Sequence, residues 1–238
     1  MKTVLIVRAA PRKKGITNLF ADAFIRGLRS AENAVEITQF DAAANPVTPC
    51  RGCYACVKTA ACAINDDFSK TLELVGKCDV LAVFTPVYFC TMSAQLKAFF
   101  DRCFPLAAAR RAAGTAQNSD TEKPPRQNRK MLAFSCASGR LDAFEAITKN
   151  FELVAAELGF GLSANVRRGE AVYFSGLGEK SVRVKKILAA AEKLGRETAL
   201  GVPSPETIAE VEARIAPDDA TFYRRAKTYW RLLKSRDK

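Results

Sequence analysis

The sequence predicts an α/β protein in which five parallel strands lie between two layers of helices, wound outward from the middle of the sheet. Three observations carry this. Short apolar runs alternate with segments of helical periodicity as far as residue 200. One run, residues 79–85, holds Val80-Leu81-Ala82-Val83-Phe84 without a polar break, as a strand buried on both faces requires. No internal repeat interrupts the alternation.

Taken in order, Thr3-Val4-Leu5-Ile6-Val7 is the first strand, followed by a loop holding Pro11 and Gly15. From Asn18 the chain turns helical, with Leu19, Phe20, Ala23, Phe24, Gly27 and Leu28 on one face. Residues 34–39 are the second strand, 40–65 a long loop and 66–76 a helix. The buried strand at 79–85 leads into a loop at 86–92, and Ser93 caps a helix running through Cys103. Residues 107–128, rich in Ala, Arg and Pro without periodicity, are a loop excursion. Strand four spans 130–136, a helix 142–158, strand five 162–166 and a further helix 180–200. Right-handed crossovers give a flavodoxin-like order, 2-1-3-4-5, whose ligand lies outside the carboxyl ends of the strands. The loops after strands one, three and four should therefore meet at one site. The chain divides into a body at 1–203, with a Cys-rich loop at 50–62, and a basic helical tail at 204–238.

Composition removes whole classes of chemistry. The 238 residues include no histidine, so no Ser-His-Asp triad, Cys-His dyad or HExxH zinc site exists in this chain. Lys and Arg total 37 against 25 Asp and Glu, a formal charge of +12, which favours anionic ligands and acidic partners. No basic nucleic-acid motif accompanies that charge, so nucleic acid is not an expected partner. No apolar run reaches the ~18 residues of a membrane span, and the expectation is a cytoplasmic protein whose eight cysteines stay reduced.

Three loops and one cysteine cluster carry the candidate chemistry. The loop from Arg8 to Asn18 ends at a helix N-terminus, where free N–H groups and the helix dipole favour a phosphate; Arg12, Lys13 and Lys14 add charge and Thr17 a hydroxyl. A solvated basic turn is the alternative. The loop Pro86-Val87-Tyr88-Phe89 puts an aromatic pair at a strand's carboxyl end, suited to a flat conjugated ring or simply covering the sheet's end. After strand four, Ser135-Cys136-Ala137-Ser138-Gly139-Arg140 would close the same pocket. Cys50, Cys53, Cys56 and Cys62 are spaced C-x2-C-x2-C-x5-C, the run-like form of a [4Fe–4S] ligand set. Zinc, which favours two separated C-x2-C pairs, and idle thiols are the alternatives. Cys78 and Cys103 read as buried core residues.

The runs Ala10-Pro11-Arg12…Gly15-Ile16-Thr17-Asn18, the cysteine loop ending Ile64-Asn65-Asp66-Asp67, and Pro86-Val87-Tyr88-Phe89…Ser93-Ala94-Gln95-Leu96-Lys97…Asp101-Arg102 resemble the iron–sulfur flavoprotein branch of the NADPH-dependent FMN reductase family. The resemblance is specific over about residues 1–104 and continues by element order to about 200. It implies FMN, electron transfer and a homodimer or homotetramer. By motif, Arg12, Thr17, Asn18 and Leu19 would hold the FMN phosphate. Pro86, Val87, Tyr88, Phe89 and Ser93 would border its ring, Ser138 and Gly139 would close the pocket, and the four clustered cysteines would ligate iron. Two departures stand out. Arg8-Ala9-Ala10 replace the family's usual Asn-Gly-Ser, and Cys90 stands where a small glycine is usual.

In the tail, Phe222, Tyr223, Ala226, Tyr229, Trp230 and Leu233 recur at helical spacing among five cations. The readings are a face packed on the body or on a second subunit, a docking patch for an acidic electron carrier such as a ferredoxin, or a surface-lying membrane helix. The sequence thus predicts a flavin-dependent oxidoreductase coupling two-electron flavin chemistry to one-electron transfer through the cluster. NAD(P)H is the candidate donor, although no nicotinamide-binding motif is legible. The alternatives are an NAD(P)H-dependent FMN or quinone reductase without a cluster, and a redox-sensing or electron-storing protein without turnover.

Overall fold

Strands β1 (Lys2–Arg8), β2 (Val35–Asp41), β3 (Val80–Pro86), β4 (Lys130–Cys136) and β5 (Gly161–Arg168) form one parallel sheet in the order β2-β1-β3-β4-β5, as the sequence led us to expect. The structure is a computed structural model and describes all residues except 33, 113–127, 140 and 236–238. Side chains alternate across the pleat, and each parity feeds a separate core. Val4, Ile6, Ala82, Phe84, Leu132, Phe134 and Val166 face one helical layer; Leu5, Val7, Leu81, Val83, Met131 and Ala133 face the other. Both sets are almost wholly buried, which is why the central strands read as unbroken apolar runs.

The first layer is α1 (Ile16–Arg29), α7 (Ala171–Leu177), α8 (Val182–Leu200) and α9 (Pro205–Glu212). Helices α1 and α8 cross with backbones in contact: a Cβ on Gly27 would stand 1.8 Å from the Glu192 carbonyl oxygen, and one on Gly195 2.0 Å from that of Phe24. The second layer is α3 (Phe68–Lys77), α4 (Ala94–Arg102) and α6 (Glu145–Leu158), whose Phe68, Phe99 and Phe151 fill the opposite core. The helix α10 (Asp219–Ser235) follows, seated on α7 through buried Phe222 and through Arg225, which lies over the Tyr173 ring and donates to the Gly176 carbonyl.

Several elements differ from expectation. The span expected as a loop from 107 begins as helix α5 (Phe104–Ala112), while 113–127 lies outside the described residues. Pro105 occupies the first turn, where its missing N–H costs nothing, and the alanine run after it has high helix propensity. The loop at 40–65 contains a short helix, α2 (Ala55–Thr59). The segment expected as tail from 204 supplies Val211, Ile215, Ala216 and Phe222 to the first core. Among the described residues no helix is long and apolar enough to cross a membrane.

Candidate functional site

The loops after β1, β3 and β4 are tied together by main-chain bonds at the strand ends: Ala9 N–H donates to Phe84, Val87 to Cys136 and Ala137 to Arg168. They enclose a small cleft of about 60 Å³ lined by Pro11, Arg12, Gly15, Thr17, Pro86, Val87, Tyr88, Cys136 and Ser138. Ligand sites are typically several hundred Å³, so this cleft can enclose only the phosphate end of a nucleotide-sized group. Its floor suits one. Helix α1 starts there with no acid in its first turn, its leading amides have no partners within the helix, and Arg12 lines the cleft while Lys13 and Lys14 are exposed on the same loop.

Of the residues expected to hold the FMN phosphate, border its ring or close its pocket, Arg12, Thr17, Pro86, Val87, Tyr88 and Ser138 line this cleft, and Asn18, Leu19, Phe89, Ser93 and Gly139 do not. Asn18 is buried and turned into the loop, where its amide Nδ2 donates to the carbonyls of Arg12 (3.0 Å), Ala10 and Lys13 (both 3.4 Å). It shapes the loop. Leu19 packs half-buried against the first core. Ser93 is fully buried; its Oγ donates to the Ala9 carbonyl at 2.8 Å and caps α4 by accepting from Leu96 N–H. Gly139 accepts from Glu170 N–H, and Arg140 lies outside the described residues. Phe89 stands fully exposed. Residues 88–91 form a tight turn closed by two main-chain bonds between Tyr88 and Thr91, with Phe89 (φ 46°) and Cys90 (φ 62°) both left-handed. Cys136 is a floor residue. Burial pushes its thiol up to about 12, against the pull of Arg168 and the Thr17 hydroxyl, so it is no ready nucleophile.

A second, larger cleft of about 600 Å³ lies between the cysteine loop and helices α4, α5 and α6. Cys50, Cys53, Cys56 and Cys62 all line it, with Arg51, Tyr54, Lys97, Phe100, Arg102 and Phe104. The Cys56 thiol is raised by burial first, then by its three fellow cysteines, which places each of those three within electrostatic reach of Cys56. Gly52 N–H approaches the Cys50 sulfur at 3.5 Å, a donor of the kind that supports thiolates. Four soft sulfur donors around one cleft beside Arg51 and Arg102 match the charge and chemistry of an iron–sulfur cluster. Among the described residues no three Cys, Asp or Glu side chains already stand close enough to grip a metal ion, so ligation requires the loop to draw in. The two clefts share no lining residue. Cys78 and Cys103 are buried core thiols, and burial raises both.

Sequence reasoning missed two polar hubs. Arg102, in the last turn of α4 and only 1% exposed, forks onto both Asp66 oxygens (2.8 and 2.9 Å) and the Thr48 carbonyl (2.9 Å), gripping the cysteine loop at both ends. The Arg102 hydrogen bonds hold the Asp66 carboxyl below the usual carboxylate range. The second hub is Glu170 beside buried Arg168. Its backbone N–H donates to Gly139, while its carboxylate accepts from Ile215 and Ala216 N–H (2.8 and 3.1 Å) and pairs with Arg214. Both hubs join residues dozens of positions apart, and no local pattern announces them.

An α/β/α sandwich whose basic phosphate-type loop and aromatic loop meet at the strand ends defines a flavodoxin-like protein of the flavin-dependent oxidoreductase class. The chain belongs to the NADPH-dependent FMN reductase family, whose model matches residues 1–166. It is 33% identical over 103 residues to an iron–sulfur flavoprotein of Methanocaldococcus jannaschii, covering 43% of this chain and 52% of that one. Over 105 residues it is 30% identical to an iron–sulfur flavoprotein of Archaeoglobus fulgidus, covering 44% and 46%. The chain thus spans about half the length of these curated relatives, and they support the resemblance to the iron–sulfur flavoprotein branch. Among solved structures, the NAD(P)H:quinone oxidoreductase of Methanothermobacter marburgensis superposes with a TM-score of 0.57 at 20% identity, covering 83% of this chain and 96% of that one, a likeness of fold.

Proposed function

We propose that the protein is an FMN-dependent electron-transfer oxidoreductase that also carries a [4Fe–4S] cluster on Cys50, Cys53, Cys56 and Cys62. The observation that carries this reading is the convergence of all four cysteines on one cleft, separate from the phosphate-type cleft. The flavin exchanges two electrons together or one at a time and the cluster one, so the pair joins two-electron donors such as NAD(P)H to one-electron acceptors. The chain's own residues bind and orient. Arg12 and the α1 amides hold the phosphate, Thr17 and Ser138 line its cleft, and Pro86, Val87, Tyr88 and Phe89 present a ring-facing loop held by Ser93. With no histidine in the chain, no imidazole moves a proton.

Helix α10 carries five cations and one acid, and its outward stripe of Tyr223, Lys227, Trp230 and Lys234 is exposed. Such a stripe suits the acidic face of a protein electron carrier, with charge raising the encounter rate. A homodimer or homotetramer, which the family resemblance implies, is part of this proposal. The second reading, a reductase without a cluster, is favoured by the spread of the cysteines as they stand. Anaerobic purification with iron, sulfide and visible spectra separates the two. The cluster reading expects iron and sulfide beside the flavin bands, with Cys53→Ala losing iron and keeping flavin. Equal iron per chain in wild type and Cys53→Ala sinks the cluster assignment.

A further inference from the structure

The two ends of the cysteine loop are tied together by a side chain from a different part of the fold. Arg102 reaches back from the end of α4 to Thr48, two residues before Cys50, and to Asp66, four residues after Cys62. Its planar fork meets the carboxylate through two parallel bonds, a geometry lysine cannot reproduce. The guanidinium lies 5.2 Å from the Phe68 ring centroid, lines the same cleft as Cys62, and leaves its Nε without a partner among the described residues. An almost fully buried cation with a spare N–H has strong reason to take an anionic acceptor, since unpaired buried donors are costly. Lys97, Asp101 and Arg111 also line the cleft, but each is paired at the surface: Lys97 with Asp101 at 2.6 Å and Arg111 with Glu157 at 2.7 Å.

From this arrangement we infer that Arg102 is the positioning residue of the cysteine centre: it joins the two ends of the loop and presents its charge to the cleft that the four cysteines line, so that it sets both the retention and the reduction potential of the bound cluster. The inference rests on the cluster reading above. A thiolate-bound cluster is anionic and becomes more so when reduced, so a cation beside its ligands stabilises the reduced form. Asp66 works against this by drawing the same guanidinium toward itself. The two residues therefore have opposite effects on potential although both hold the loop. That opposition is what a purely structural clasp would lack.

Helix α4 extends the consequence. Ser93 at its N-terminus pins the Ala9 carbonyl of the phosphate-type loop, and Arg102 at its C-terminus pins the cysteine loop. Nine helical residues at about 1.5 Å each separate the two anchor points by roughly 14 Å along one rigid element.

The test uses anaerobically purified full-length chain and reads iron per chain and cluster midpoint potential, with the flavin bands and thermal melt as folding controls. Arg102→Met should retain less iron after gel filtration and shift the potential negative, with Arg102→Lys restoring part of the potential but not the retention. Asp66→Asn should also retain less iron but shift the potential positive. If Arg102→Met does not fold, the Arg102→Lys and Asp66→Asn pair carries the same contrast. A wild type holding its cluster, with Arg102 variants unchanged in potential or shifted in the same direction as Asp66→Asn, overturns the positioning role alone. A wild type without iron overturns the cluster reading and this inference with it.

Discussion

Cys90→Gly is expected to stabilise the protein. Cys90 sits at φ 62°, in the left-handed region, beside Phe89 at φ 46° in the turn closed between Tyr88 and Thr91. Two consecutive left-handed residues are the arrangement of a type I′ turn, which glycine and asparagine accept and a Cβ resists. The strain at a residue with a Cβ is about 1–2 kcal/mol. Exposure leaves the Cys90 side chain little packing to set against it. Relief of about 1 kcal/mol in a chain of this length raises Tm by roughly 2–4 °C. Cys90→Val, with a branched Cβ, should move Tm the other way. Thermal and urea unfolding of the three proteins under reducing conditions measure this. A Cys90→Gly protein that melts at or below wild type, or a Cys90→Val protein that melts above it, would refute the assignment of strain to this turn.

Arg12→Ala should weaken FMN binding by about 10- to 100-fold in a fluorescence titration, the effect of losing a charge-assisted bond of roughly 1.5–3 kcal/mol. Riboflavin, which has no phosphate, should bind both proteins alike. Gly195→Ala should lower stability by about 1–3 kcal/mol in urea unfolding despite the better helix propensity of alanine, because the methyl would meet the Phe24 carbonyl at 2.0 Å and push α1 from α8. The pair Lys227→Glu and Lys234→Glu should leave the melt unchanged yet slow reduction of an acidic one-electron carrier at low salt, with the difference closing near 1 M salt, where the Debye length is about 3 Å.

The sheet was legible because its physics is local. Val80–Phe84 must be apolar on both faces, and Leu19, Phe20, Phe24 and Leu28 must share one side of a helix, so composition and spacing alone reveal them. Helix α9 was run together with the final helix in the tail expected at 204–238, although Ser204 caps it and Pro205 opens it, a legible start signal. The alanine-rich α5 has no strong periodicity to find, and α7 is too short to show one. The site divides in the same way. Arg12, Thr17 and Tyr88 sit on loops whose place at the strand ends follows from topology, and the structure brings them to one cleft. Ser93 and Asn18 carry the same motif but face inward, since a loop that presents some side chains must be braced by others. Arg102 and Glu170 act across 36 to 54 residues, where only the folded chain reveals the partner.

The grip of Glu170 on Ile215 and Ala216 has a temporal side. Gly139, which the same glutamate's backbone holds, belongs to the third wall around the phosphate-type cleft, whereas Arg12 belongs to the first loop made. At translation rates of about 5–20 residues per second, roughly 10–40 s pass between the emergence of residue 12 and that of residue 216. During that interval the anion-attracting start of α1 exists without the brace that steadies its opposite wall. A nascent chain stalled before residue 211 would have its sheet and its cysteines yet lack the late-arriving bolt behind residues 137–139. In this fold the wall at residues 137–139 thus gains its brace only after residue 216 has been made.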